Sequence, residues 1–225
     1  MKNTTAKAFS GLAFVLLAMA VLLFLPAWTL NYWQAWVFLA VFGGSALATT
    51  LYLMKHDPEL LDRRTRAGPT SEKQTNQKII QTITSTGFVA ILIVSALDHR
   101  FGWSLVRPYV PPIGDGLILF GMLIIFFVFK QNSFASSTIE RAPEQEVVTT
   151  GLYALVRHPM YMGAVFYLIG IPLSLGSLWG LSAVVFIIPA LIWRLFDEEK
   201  FLAINLPGYT EYQNKVVYRL VPFIW

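Results

Sequence analysis

The sequence predicts an all-α, polytopic integral membrane protein with about five to six membrane-embedded helices, a C-terminal helical hairpin and an amphipathic tail. Three observations carry that reading. Of the 225 residues, 56% are hydrophobic and only 13% are charged, whereas a soluble domain carries about 25% charged residues. No Asp, Glu, Lys or Arg occurs from Phe9 to Met54, from Ile79 to Leu97 or from Met160 to Trp193. A bilayer-spanning helix needs about 20 mostly apolar residues, and these stretches supply that length several times over.

The elements follow in order. A first span covers Phe9 to Leu25, and Pro26 ends it because proline removes a helical hydrogen bond. Lys2 and Lys7 precede it as they would a secretory leader. A second span follows at once and no small-residue cleavage site stands out, so a retained helix is expected. The second span is Trp33 to Met54, with Trp28, Tyr32, Trp33 and Trp36 as an aromatic girdle at one interface. The polar stretch "HDPELLDRRTRAGPTSEKQ" reads as a short helix and a turn. The third span is Ile79 to Leu97, a loop with Pro108, Pro111 and Pro112 follows, and the fourth span is Ile113 to Phe129.

Lys130 to Arg157 is a polar linker too long for a turn. Met160 to Trp193 then gives 34 uncharged residues, broken by "SLGSLWG" near Gly176. At 1.5 Å per residue, two helices of about 16 residues only just cross a core of about 30 Å, so this stretch is expected to form a hairpin. A tail rich in Glu, Lys and Tyr closes the chain, with no internal repeat. The expected division is residues 1–130 as N-terminal transmembrane helices and residues 131–225 as linker, hairpin and tail.

With the N-terminus inside, fifteen of the seventeen Lys and Arg fall in cytoplasmic segments and only Arg100 and Arg107 lie outside. That bias places the N-terminus, the linker and the C-terminus in the cytoplasm. The basic residues sit in loops, where they meet lipid headgroups rather than nucleic acid. Cysteine is absent, which excludes disulfides and thiolate-bound metal. His56, His99 and His158 are far apart in sequence, so no metal site is expected.

The chemistry points to the hairpin mouth. In "GLYALVRHPMYMG", Pro159 suits the first turn of a helix, where its missing N–H costs nothing. The unpaired amides of such a turn attract an anion. At the far arm, "IWRLFDEEKFL" puts Arg194 and Glu198 four apart and therefore on one helix face. A hairpin returns its second arm to the level of the first, so Arg194 and Glu198 are expected near His158 and Tyr161. Ionisable groups at membrane depth are candidate functional groups.

"VVTTGLYALVRHPMYMG", "WRLFDEEKFL" and "LPGYTEYQNKVVYRLVPFIW" together resemble the isoprenylcysteine carboxyl methyltransferase family, membrane-embedded enzymes that use S-adenosylmethionine. The resemblance covers Val147 to Trp225, and it makes residues 131–225 the methyltransferase core. It implies that Gln145, Glu146, Val147 and Val148 contact the cofactor from the linker. Tyr153, His158, Pro159, Met160 and Tyr161 would line it at the mouth, and Glu198 would bind it from the returning helix. Arg194 would face the acceptor as the catalytic residue. The implied acceptor is the carboxylate of an isoprenylcysteine-like amphipath that partitions into the membrane. A small thiol or a lipid stays open as the acceptor, and the contacts of Arg157 and Glu199 are left open too. Two other classes compete. A membrane reductase would bind a phosphorylated nicotinamide cofactor, for which the tail offers few unopposed basic residues. A scaffold or small carrier would give the polar cluster no purpose.

Overall fold

The computed structural model describes every residue except Met1, Arg66, Ala67, Lys73, Glu140, Arg141 and Pro143. Arg66, Lys73 and Arg141, counted above among the cytoplasmic cations, therefore lie outside the described residues. Among the described residues eight α-helices follow one another: α1 (Lys2–Ala27), α2 (Trp33–His56), α3 (Pro58–Thr65), α4 (Thr75–Phe101), α5 (Val110–Gln131), α6 (Pro159–Ser174), α7 (Gly180–Asn205) and α8 (Tyr209–Lys215). Short 3-10 turns occur at Pro69–Ser71 and Gly151–Ala154. Among the described residues five helices are long and apolar enough to cross a membrane: α1, α2, α4, α5 and α7. With the shorter apolar α6, the chain is an all-helical, multi-pass membrane protein.

The boundaries depart from the sequence reading in two instructive places. Pro111 and Pro112 lie inside the first turn of α5 rather than in the loop before it, because proline is compatible with a helix start. The hairpin arms are unequal, with 16 residues in α6 and 26 in α7, or about 24 and 39 Å. The charged run after Trp193 does not end α7. Arg, Leu, Glu and Lys are all good helix formers, and their charges find buried partners at this depth. The helix stops only at Asn205, ahead of Pro207 and of Gly208, which takes φ +84°.

Helix α6 packs antiparallel on α5 through facing glycines. A Cβ on Gly121 would stand 2.5 Å from the Gly163 carbonyl oxygen, and one on Gly170 would stand 2.8 Å from that of Gly114. In lipid, where apolar burial gives little drive for association, such close backbone approach is what holds helices together. The central core gathers Met19, Leu23, Phe38, Ile91, Leu92, Ile118, Ile171 and Ile187 from six of the helices.

At the bend of the hairpin, two carboxylates are held by serines, while the buried Ser95 hydroxyl has no partner among the described residues. The Asp98 carboxylate accepts from the Ser104 amide and hydroxyl, both at 2.6 Å, and from the Ser177 hydroxyl at 2.5 Å. Ser174 donates to Asp115 at 2.5 Å. Trp28, Trp33 and Trp36 are exposed as an interfacial girdle requires. Tyr32 is not part of it: the residue is fully buried, donates its hydroxyl to the Leu175 carbonyl at 2.8 Å and stacks on His99. A phenol next to an unpaired carbonyl at a helix C-terminus is worth more inside than at the interface.

Candidate active site

The opposite end of the bundle gathers α3, the starts of α4 and α6, and the ends of α5 and α7. Gly151 takes φ +61°, which glycine adopts without strain, and Leu152 then donates its amide to Gln131 Oε1 at 3.0 Å. The chain continues beside the tail: the amides of Arg157 and His158 donate to the carbonyls of Tyr218 and Arg219, each at 2.9 Å. Pro159 opens α6 and no side chain caps it. The first-turn amides are therefore left for a ligand or water.

Two adjacent glutamates do different things. Glu199 collects two guanidinium groups and an imidazole: Arg157 Nε at 2.9 Å, His158 Nε2 at 3.3 Å and Arg219 Nε at 3.2 Å. Arg157 and Glu199 are thereby a buried ion pair that joins the mouth of α6 to α7, and Arg219 fastens the tail to the same carboxylate. One residue earlier, about 100° around the helix, Glu198 accepts a hydrogen bond from Tyr161 Oη at 2.6 Å. That is its one protein donor among the described residues. A carboxylate has about four lone-pair sites, so most of the acceptor capacity of Glu198 is open.

Glu198 stands in the wall of a cavity of about 100 Å³. All ten residues expected to surround a ligand line it: Gln145, Glu146, Val147, Val148, Tyr153, His158, Pro159, Met160, Tyr161 and Glu198. Leu202 and Leu206 complete the apolar side. They follow Glu198 by one and two helical turns, a spacing the sequence displayed but the reading did not use. Tyr209 and Tyr212 also contribute; they stood in the tail motif without an assigned place. Tyr212 donates to the Tyr153 carbonyl at 2.8 Å, and Asn132 Nδ2 donates to Tyr153 Oη at 2.9 Å. Burial pushes the Tyr153 phenol up to about 12, against the smaller opposing pull of Asn132, so it is neutral at physiological pH. The Tyr209 hydroxyl is buried without a hydrogen-bond partner. An open carboxylate, an orphaned hydroxyl, uncapped amides and an apolar wall suit a small ligand that carries both ammonium and carboxylate groups on an apolar body.

Arg194 lies beyond this wall rather than in it. Its Nη1 donates to Gln77 Oε1 at 2.8 Å and its Nη2 donates to the Ser137 carbonyl at 2.9 Å, with Glu72 Oε1 2.8 Å from Nη2. Gln77 in turn donates to Asp197 Oδ2 at 3.0 Å. Arg194 and Glu198 flank Tyr161 from one helix face, as their spacing implies. Glu72 and Gln77 are both buried and were missed: single polar residues in a polar loop carry no periodic signal. Arg64 of α3 was missed for the same reason. Its Nη1 donates to the Ser136 carbonyl at 3.1 Å and lies 3.9 Å from Met160 Sδ.

Residues 111–206 match the phospholipid methyltransferase family. The protein-S-isoprenylcysteine O-methyltransferase of Saccharomyces cerevisiae is 32% identical to the chain over 133 residues, 55% of this chain and 54% of the yeast enzyme. The match thus spans about half the length of that relative. These likenesses bear out the family resemblance drawn from Val147 to Trp225 and extend it upstream through α5.

Proposed function

We propose that this relative of the phospholipid and isoprenylcysteine methyltransferases is a membrane-embedded, S-adenosylmethionine-dependent methyltransferase acting on the carboxylate of an isoprenylcysteine-like amphipath. The observation that carries the reading is Glu198, a carboxylate with open acceptor capacity in the wall of a cavity that all ten expected residues share. The donor set fits the cofactor. Glu198 meets its ammonium group, the first-turn amides of α6 meet its carboxylate, and the orphaned Tyr209 hydroxyl offers one further polar contact. Leu202, Leu206, Val147 and Val148 cover the apolar parts and exclude water.

When bound, the cofactor supplies a methyl group on a sulfonium sulfur, open to in-line attack. The chain contributes position rather than acid–base work. Tyr161 fixes Glu198 through its 2.6 Å hydrogen bond. Arg194 is assigned to the acceptor side, where its charge favours an anion. Glu72, Gln77 and the Ser137 carbonyl hold it in place. A phosphorylated dinucleotide is disfavoured, because Arg157 and His158, the side chains in the cavity wall that could meet a phosphate, are already committed to Glu199. The loop charges orient this end of the bundle toward the cytoplasm, and the acceptor arrives sideways from the bilayer.

The test uses the purified chain in detergent. S-adenosylmethionine and its demethylated product should raise the melting temperature, and NADPH should not. Labelled methyl should pass to N-acetyl-S-farnesylcysteine far faster than to a short-chain analogue, since each buried methylene contributes about 0.8 kcal/mol. Stabilisation by NADPH alone would sink the reading. Equal rates on the soluble analogue would replace the amphipath by a small thiol or acid.

A further inference from the structure

Arg64 is positioned by the fold rather than left in a loop. Asp57 caps α3 by accepting the Leu60 amide at 2.9 Å. Leu60 and Leu61 are buried and anchor the helix against the neighbouring elements. Arg64 follows Leu60 by four residues and so points the same way. Its guanidinium lies 4.7 Å over the Phe129 ring, bonds the Ser136 carbonyl and lies against Met160. Ser136 and Met160 both line the cavity that Glu198 serves.

Two guanidiniums therefore stand on the acceptor side of this cavity, and their accounts differ. Arg194 has Glu72 at 2.8 Å, and its bonds to Glu72, Gln77 and Ser137 engage three of its five N–H donors. Arg64 has no carboxylate within ion-pair distance among the described residues; its protein partners are a carbonyl, a thioether and an aromatic face. Burial, and secondarily the charge of Arg194, pull its pKa down to about 10, so it is still charged at neutral pH. Arg64 is half-buried, and a cation drawn out of water without a counter-charge is costly unless something supplies the anion. The aromatic face compensates only in part.

We propose that Arg64 binds the anionic head of the methyl acceptor, a carboxylate or a phosphodiester, with Arg194 as the fixed neighbouring charge. The inference rests on the methyltransferase reading and gives it a second acceptor-side residue, from an element outside residues 111–206 that match the phospholipid methyltransferase family. Guanidinium suits either head group because its fork can bond two oxygens at once.

The experiment measures cofactor affinity and acceptor KM for the full chain in nanodiscs, in wild type, Arg64→Met and Arg64→Lys. N-acetyl-S-farnesylcysteine and dioleoylphosphatidylethanolamine serve as alternative acceptors. Inhibition by the farnesylcysteine carboxamide against that by a non-methylated sulfonate analogue reports whether the anion is recognised. Arg64→Met should raise KM for the productive acceptor about tenfold or more, the loss of one charge-assisted contact. It should leave cofactor affinity within about twofold and abolish the preference for the charged inhibitor, with Arg64→Lys in between. The acceptor whose KM responds identifies the head group. An unchanged KM overturns the proposal, and so does a parallel loss of cofactor affinity, which marks a structural role. Should Arg64→Met fail to fold, Arg64→Lys decides: a narrowed preference for the charged inhibitor supports the proposal, and a wild-type preference overturns it. Failure of wild type to bind S-adenosylmethionine would instead sink the parent reading.

Discussion

The two ends of the α6–α7 hairpin use similar residues to opposite effect. At the bend, Asp98 accepts three hydrogen bonds from two serines and a backbone amide. Those contacts tie the turn to the loop before α5. At the mouth, Glu199 is satisfied in the same way by Arg157, His158 and Arg219, yet its neighbour Glu198 receives only Tyr161. Close by, among the described residues, the Tyr209 hydroxyl has no hydrogen-bond partner and Arg64 has no carboxylate at ion-pair distance. Polarity inside a membrane protein therefore does not by itself mark a site. Unspent hydrogen-bonding capacity beside a cavity does, because folding alone gives no reason to leave it open.

That contrast breaks if the saturated carboxylates prove dispensable for stability. The largest effect is expected at Glu199→Ala, which strands Arg157 in a buried position and detaches the tail from α7. Removing one partner of a buried ion pair costs about 3–5 kcal/mol. The melting temperature should fall sharply in detergent, and S-adenosylmethionine affinity should fall with it, since the tail supplies Tyr209 and Tyr212 to the cavity. Asp98→Ala comes next. It leaves three donors without their acceptor, of which the Ser177 hydroxyl is buried, at about 1–3 kcal/mol for a stranded buried group. Here melting should drop while cofactor affinity, measured by calorimetry, stays as in wild type. A loss of affinity would mean that the bend transmits its geometry to the mouth.

Much of this was legible in the sequence, and the reason is local. Uncharged runs, prolines at helix starts and the four-residue spacing of Arg194 and Glu198 are short-range signals that led to the hairpin and its mouth, while the family resemblance supplied the ten residues expected around a ligand. The hidden parts depend on long-range pairing. Glu72 and Gln77 look like solvated loop residues until α7 brings Arg194 to them across more than a hundred positions. Arg64 looks like a topology charge until α3 folds under α5. Tyr32 was misjudged because an aromatic at an interface has two homes, and only the Leu175 carbonyl decides between them. The length of α7 was underestimated because the even division of the uncharged run gave each arm about 16 residues, whereas the charged stretch that was expected to continue the helix carries it to Asn205.

The comparison sharpens at Glu198. Glu198→Ala strands only the Tyr161 hydroxyl, so the melting temperature of the ligand-free protein should move by little. Cofactor affinity should fall about 10- to 100-fold, the value of a hydrogen bond to a charged group. A variant that melted early and bound normally would put Glu198 with Asp98 and Glu199 among the structural carboxylates, and the distinction between the two ends would disappear.

The smallest and most discriminating effect is expected at Tyr161→Phe. The ring is buried, so the substitution preserves its packing and removes one hydroxyl. That hydroxyl engages Glu198 Oε2 at 2.6 Å and also lies within electrostatic reach of Arg194, so it sits between the residues proposed for the cofactor and for the acceptor. If it orients Glu198, its loss lets the carboxylate turn, and cofactor affinity falls about five- to tenfold, less than for Glu198→Ala. Acceptor KM should change no more than twofold, because Arg194 keeps Glu72, Gln77 and the Ser137 carbonyl. A gain in affinity would reverse the assignment. Tyr161 would then be competing with the ligand for Glu198, and the short hydrogen bond would belong to the ligand-free state alone. Calorimetry with S-adenosylmethionine on wild type and Tyr161→Phe, at one detergent concentration and pH, reads the sign directly.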